Sequence, residues 1–222
     1  MDKLNECAID VAPPAIASAL TADDTTVPAF GDEGLFFRAW LNEPVTIGAV
    51  MPTREPLARA MSAAVLRTAG ARAGKRIVEL GGGTGPLTRA LEMGAPDPDT
   101  IAIVERNPVF HRLLTRRFPK LQVILGDAES LAAVLRDHAV GPIGAVVSSL
   151  PRVGWPLARQ RSILKQCFDL MGAEGEFLEF SYGPFSPVPR RLIRELGLKA
   201  SRLCRVWRNL PPASIWSYRR KD

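Results

Sequence analysis

Cysteine is scarce in this chain: Cys7, Cys167 and Cys204 stand far apart, odd in number and without a Cys-x-x-Cys pair. Neither a disulfide framework nor a zinc site is expected from that spacing, and a reducing cytoplasm fits it. Histidine is scarcer still, and neither His111 nor His138 falls in a ligand spacing or a triad arrangement, so no metal is expected. No apolar run approaches the roughly twenty residues that cross a bilayer. The start, Met1-Asp-Lys-Leu-Asn-Glu, lacks a basic stretch followed by an apolar core, so neither a membrane span nor a secretory leader is read. Internal repeats are absent. Acid is also in short supply once the first 35 residues are set aside. That segment holds seven acids against Lys3 alone, which leaves 28 bases facing 16 acids in the remainder. A basic body of this kind favours a polyanion, either nucleic acid or anionic lipid, with a merely solvated basic surface as the competing reading.

What is present is 46% apolar residues in 222, enough for one core of full domain size. The chain is organised around Arg76-Ile-Val-Glu-Leu-Gly-Gly-Gly-Thr-Gly-Pro86, a short apolar strand that stops in a glycine turn and opens a helix. Gly81, Gly83 and Gly85 lie two apart, which allows a sharp turn and close approach of a ligand to the backbone. In dinucleotide-binding turns the third glycine falls three residues after the second, where this chain has Pro86, and that weighs against NAD or FAD. The spacing Glu79-x-Gly81-x-Gly83-x-Gly85 instead resembles motif I of the class I S-adenosylmethionine methyltransferases, with a purely structural tight turn as the alternative. A second strand, Ile101-Ala-Ile-Val-Glu105, also ends in a carboxylate. Ligands of α/β sheets bind at the carboxyl ends of the strands, so Glu79 and Glu105 are expected to reach one crevice.

Along the chain, residues 1–33 read as a flexible acidic extension with little periodicity. Residues 34–72 read as N-terminal amphipathic and cap helices. In the first of these, Phe36, Phe37, Trp40 and Leu41 share a face, Arg38 lies opposite, and Pro44 ends the segment. Such a face suits a bilayer interface and suits a core equally well. Thr53 is placed to cap a helix whose Leu57, Ala60, Met61, Ala64 and Val65 form a core stripe. From residue 73 to 222, strands at 76–80, 100–104, 121–125, 143–148 and 176–181 alternate with helices at 86–93, 108–117, 128–138 and 157–171. That alternation predicts a parallel sheet covered on both faces. A short helix near 189–196 and strand-like runs at 199–207 and 213–219 complete the pattern, and the resemblance to the class I methyltransferases implies that the last two form an antiparallel edge hairpin.

Beyond motif I, the chain is similar to the bacterial phospholipid N-methyltransferases (PmtA type) from about residue 34 to the end. The likeness is carried by Phe36-Phe-Arg-Ala-Trp40 leading to Gly48-Ala-Val-Met-Pro52, by the Glu79 glycine run, and by Ser149-Leu-Pro151. Ser181-Tyr-Gly-Pro184 and Asn209-Leu-Pro-Pro-Ala213 complete it. The resemblance implies a Rossmann-like α/β methyltransferase fold, a seven-stranded mostly parallel sheet with an antiparallel edge hairpin. It implies S-adenosyl-L-methionine as cofactor and S-adenosyl-L-homocysteine as product. On the matching positions it places the cofactor against Glu79, Gly81, Gly83, Thr84, Gly85, Pro86, Glu105, Arg106, Asp127, Ala128, Ser148, Ser149 and Leu150. Glu105 would take the ribose diol, and Asp127 with Ala128 the adenine, although Asp127 is also well placed as a helix N-cap.

The resemblance further implies a peripheral protein at the inner face of the cell membrane. It would be anchored through Phe36, Phe37, Trp40 and Leu41, and would methylate phosphatidylethanolamine and its mono- and dimethyl derivatives towards phosphatidylcholine. Tyr182 is the candidate catalytic residue, its hydroxyl to orient the amine and its ring to face the growing cation. Trp155 and Phe185 are further substrate candidates that serve equally as packing residues. Arg190, Arg191 and Arg194 are candidates for the lipid phosphate, with a solvated helix face as the competing reading. The alternative function is an RNA or DNA adenine N6-methyltransferase related to ribosomal RNA adenine dimethylases. Those enzymes carry an Asn and an aromatic ring where this chain has Ser149 and Arg152, so no nucleic-acid partner is expected.

Overall fold

The computed structural model describes residues 55–152, 154–209 and 211–221. The acidic extension, the aromatic segment with Phe36, Phe37, Trp40 and Leu41, and the cap residue Thr53 lie outside the described residues. The described residues fall in one compact unit.

Helix α1 (Glu55–Leu66) buries Leu57, Ala60, Met61, Ala64 and Val65, the stripe that helical spacing predicts, together with Ala58 and Ser62. A one-turn helix α2 (Ala69–Arg72) follows, capped by the Thr68 hydroxyl. Five strand–helix units then alternate. They run β1 (Arg76–Leu80), α3 (Pro86–Gly94), β2 (Ile101–Glu105), α4 (Pro108–Arg117), β3 (Gln122–Leu125), α5 (Leu131–Asp137), β4 (Ile143–Ser148), α6 (Leu157–Met171), β5 (Glu176–Ser181) and α7 (Arg190–Glu195). Two strands close the chain, β6 (Leu198–Val206) and β7 (Ala213–Arg220). The run expected as one helix over 128–138 starts as a 3-10 turn at Ala128–Ser130 before becoming α5, because the Asp127 side chain caps that turn.

The sheet has seven strands in the order β3-β2-β1-β4-β5-β7-β6. Strands β1 to β5 are parallel, and β7 runs antiparallel to both β5 and β6, which makes the edge hairpin. Strands β2, β1 and β4 are buried at nearly every position, as strands covered on both faces must be. One face carries Val78, Leu80, Val146, Phe177 and Tyr218 into a core with α5, α6 and α7. The opposite face carries Glu79 and Glu105, which the β1–β2 register puts on the same side. Successive strands go outward from β1 in one direction up to β3 and in the other from β4, so the order reverses between β1 and β4. A crevice opens at their carboxyl ends for that reason.

Candidate active site

Four turns leave the sheet at one level. Gly81 N–H donates to Val104 O at 2.9 Å, Ser149 N–H to Leu80 O at 2.9 Å, and Gly126 N–H to Glu105 O at 3.1 Å. The glycine turn, the ends of β2 and β3 and the turn after β4 therefore line one crevice. Gly81 has φ +78° and Gly83 φ +54°, in the left-handed region that side chains disfavour. A Cβ on Gly83 would meet nothing within 4 Å, so the turn is open there. On Gly81 it would come within 2.9 Å of Leu150 Cδ2. Gly82, which the alternating spacing does not single out, is needed for packing: a Cβ there would stand 2.8 Å from Ile103 and from Leu114.

Glu105 ends β2 with both oxygens turned to the crevice backbone. Oε2 accepts from Gly83 N–H at 2.9 Å and Oε1 from Asn107 N–H at 2.7 Å. Each carboxylate oxygen keeps a second lone pair, so acceptor capacity for a diol is left at this position. Arg117 donates to Thr84 O at 3.1 Å and ties the turn to the end of α4. Glu79 is fully buried. Its Oε2 accepts from the Thr88 hydroxyl at 2.7 Å, while Oε1 has no partner. Burial pushes its pKa up to about 7, against the hydrogen bond from Thr88 and with a smaller contribution from the charge of Glu105. The two acids share a face and feel each other, as two carboxylates at neighbouring strand ends should. Thr88, in the first turn of α3 that Pro86 opens, is the partner that spacing alone does not reveal.

Beyond β3, the Asp127 carboxylate accepts from Glu129 N–H at 2.9 Å and stands 3.5 Å from Arg106. The N-cap role is thus filled, with the second oxygen towards the exposed Arg106, and Ala128 is buried beside it. Ser148 is buried, with Oγ accepting from Leu150 N–H at 3.3 Å, and the buried Ser149 hydroxyl has no partner.

The turn after β4 and the end of β5 are tied by charge. Arg152, at the place where base methyltransferases carry an aromatic ring, is 3% exposed and makes a two-point ion pair with the buried Glu179 of β5. Burial holds the Glu179 carboxyl above the usual range even with Arg152 opposing. Cys167 lies among the same buried side chains, and burial pushes its thiol up to about 12, which makes it unreactive. Tyr182 follows β5, half-buried and edge-on to Phe180 at 5.4 Å between centroids. Phe185 is 78% exposed.

Four of the substrate candidates, Trp155, Arg190, Arg191 and Arg194, have the following surroundings. Trp155 packs on the core with the Arg159 guanidinium 3.8 Å above its ring, so a cation of this chain already occupies that ring. Arg190, Arg191 and Arg194 are exposed on α7, and only Leu192 of that helix is fully buried. Because Ala200 and Phe177 both pair with Tyr218, β6 begins level with the start of β5, at the end of the sheet away from the glycine turn. Gly197 N–H donates to Arg194 O, which puts Arg194 near that far end and outside the crevice.

Among the described residues no group of three or more His, Cys, Asp or Glu could hold a metal ion, and no helix is long and apolar enough to cross a membrane.

Several solved structures share this architecture. The chain aligns with a TehB-like S-adenosylmethionine-dependent methyltransferase from Corynebacterium glutamicum at TM-score 0.54 and 14% identity, over 86% of this chain and 98% of that one. An O-methyltransferase from Bacillus cereus in complex with S-adenosylhomocysteine gives 0.55 and 14%, over 89% and 94%. Aeropyrum pernix fibrillarin with natively bound S-adenosyl-L-methionine gives 0.52 and 20%, over 65% and 66%. The fold is that of the class I S-adenosylmethionine-dependent methyltransferases. No protein-family model matches the chain. In sequence it is 30% identical over 143 residues to the ornithine lipid N-methyltransferase of Singulisphaera acidiphila, covering 63% of this chain and 73% of that protein. The chain belongs to the family of bacterial lipid N-methyltransferases to which that protein belongs.

Proposed function

We propose that the chain is a peripheral-membrane enzyme that methylates the amine of phosphatidylethanolamine and its mono- and dimethyl derivatives, towards phosphatidylcholine. The observation that carries this reading is the relationship to a lipid N-methyltransferase across most of that protein's length. Arg152 adds to it: with a buried, ion-paired side chain after Leu150-Pro151, the turn offers no ring on which to stack a base.

The residues of the crevice suit the cofactor. Glu105 supplies carboxylate lone pairs for a ribose diol, the unpartnered Glu79 Oε1 is an acceptor for a cationic amino group, and Asp127 with Ala128 stands at the adenine end. The open space over Gly83 admits what a side chain would exclude. When bound, the cofactor supplies a methyl group on a sulfonium, transferred by in-line displacement. The protein's share of that reaction is to hold a neutral amine close and correctly directed. Tyr182, at the end of β5, has the hydroxyl to orient the amine and the ring to tolerate its growing charge. The basic surface favours an anionic bilayer, and the segment with Phe36, Phe37, Trp40 and Leu41 is the proposed anchor.

A second reading, the amine of ornithine lipid, is favoured by the relative's own activity. Purified protein is incubated with radiolabelled S-adenosylmethionine and, separately, vesicles of phosphatidylethanolamine, vesicles containing ornithine lipid, and ribosomal RNA. Label in phosphatidylethanolamine is the expected result. Label in ornithine lipid alone would move the acceptor, and label in RNA with both lipids inert would overturn the lipid reading.

A further inference from the structure

Between β4 and α6 the chain makes a turn whose geometry depends on one side chain. The Arg152 and Glu179 side chains are 2% and 4% exposed, and Arg152 Nε donates to Glu179 Oε1 at 2.9 Å while Nη2 donates to Oε2. The guanidinium also lies 5.6 Å from the centroid of the Phe177 ring, so the fork is held in plane and in depth. From that fixed point, Arg152 N–H reaches back to Leu150 O at 2.9 Å and Trp155 N–H reaches to Arg152 O at 3.1 Å. Leu150 N–H closes the turn on the Ser148 hydroxyl. Leu150 in turn occupies the space that a Cβ on Gly81 would enter. A continuous line of contacts thus joins the end of β5, through the turn after β4, to the glycine turn of the cofactor crevice. Stability does not call for charge here, since apolar residues of similar volume commonly hold such a site as well as a buried ion pair does. What a bidentate pair supplies in their place is a defined orientation.

We propose that the Arg152–Glu179 pair is a positioning device for methyl transfer, fixing the turn after β4 so that Leu150 buttresses the glycine turn and sets the acceptor side against the cofactor side. Neither residue touches the reacting atoms in this account; both act through Leu150. The inference rests on the assignment of the turn after β4 to the methyl-transfer site and not on which amine is methylated.

The test separates stability from geometry by replacing both charges with apolar residues. The double variant R152M/E179L is expected to melt at or above the wild-type temperature. It should bind S-adenosylhomocysteine about tenfold more weakly by calorimetry and lose about a hundredfold in kcat/KM, the scale of an ångström-sized misplacement. A double variant with wild-type affinity and turnover would overturn the proposal. Leu150→Ala tests the other end of the line in a half-buried side chain, so it is informative even where the double variant does not fold. It is expected to weaken S-adenosylhomocysteine severalfold, and unchanged affinity would again overturn the proposal. Cofactor affinity is read without any acceptor. A wrong lipid assignment would leave these affinities as expected with no labelled lipid, so the two failures are distinguishable.

Discussion

Two acids of this protein are equally buried and differently treated. Glu79, on the cofactor side of the crevice, has one neutral partner in Thr88 and an oxygen with no donor at all. Glu179, on the acceptor side, has a guanidinium on both oxygens. Burial raises the pKa of each, that of Glu79 to about 7 and that of Glu179 against the opposing charge of Arg152. Glu79 keeps one oxygen that no donor among the described residues reaches, whereas both oxygens of Glu179 are taken by one guanidinium. The same residue type is thus left half-partnered at the end of one strand and tied at both oxygens at the end of another; in the proposed function the first holds the cofactor and the second holds the turn after β4.

That contrast can be broken from either side. The largest effect is expected for Arg152→Met, which strands a buried carboxyl. It should cost about 3–5 kcal/mol by urea denaturation at neutral pH, and a loss below about 1 kcal/mol would mean the pair is solvated rather than buried. A smaller effect is expected for Glu79→Gln. In the wild type the folded state holds a proton on Glu79 that the unfolded chain releases near pH 4.5. Stability therefore falls as pH rises from about 4.5 towards 7 and levels off above, by about 3 kcal/mol in all. The raised Glu179 contributes with the same sign, so the informative quantity is the difference between wild type and Glu79→Gln across pH 5–8. That difference should grow with pH in favour of the variant, and parallel curves would show that Glu79 is ionised at its ordinary pH.

Much of the fold was legible because its signals are local. Apolar runs of strand length, the Pro86 and Pro108 helix starts and the Gly81–Gly85 spacing each sit within a few residues of what they specify. The two strands of the edge hairpin were legible as local runs, and their antiparallel pairing through the methyltransferase resemblance. The acceptor side was not. Arg152 and Glu179 are 27 positions apart and meet only once β5 is laid beside β4, so no window of sequence contains both. A hint was available in Glu176-Phe-Leu-Glu179-Phe, a central strand with two acids that burial obliges to find partners. The structure supplies them as Arg219 and Ser217 for Glu176 and Arg152 for Glu179. The surroundings of Trp155 and Arg194 were hidden from the sequence for a related reason. Residue type suggested a cation cage and an anion clamp, but Arg159 covers the ring and the antiparallel return of β7 carries the start of β6, and the end of α7 with it, towards the far end of the sheet.

The account turns on a single crevice at the β1–β4 reversal that takes the cofactor between the glycine turn and Glu105. The most direct measurement is calorimetric titration of S-adenosylhomocysteine into wild type and Glu105→Gln, a change that removes the charge and leaves one acceptor oxygen for the two backbone donors, Gly83 and Asn107, that the carboxylate serves. The predicted result is a loss of about tenfold or more in affinity, the scale of one charge-assisted hydrogen bond, in a protein that stays folded with a melting temperature lowered by the one backbone bond given up. Equal affinity in the two proteins would place the cofactor elsewhere and contradict the assignment of this crevice.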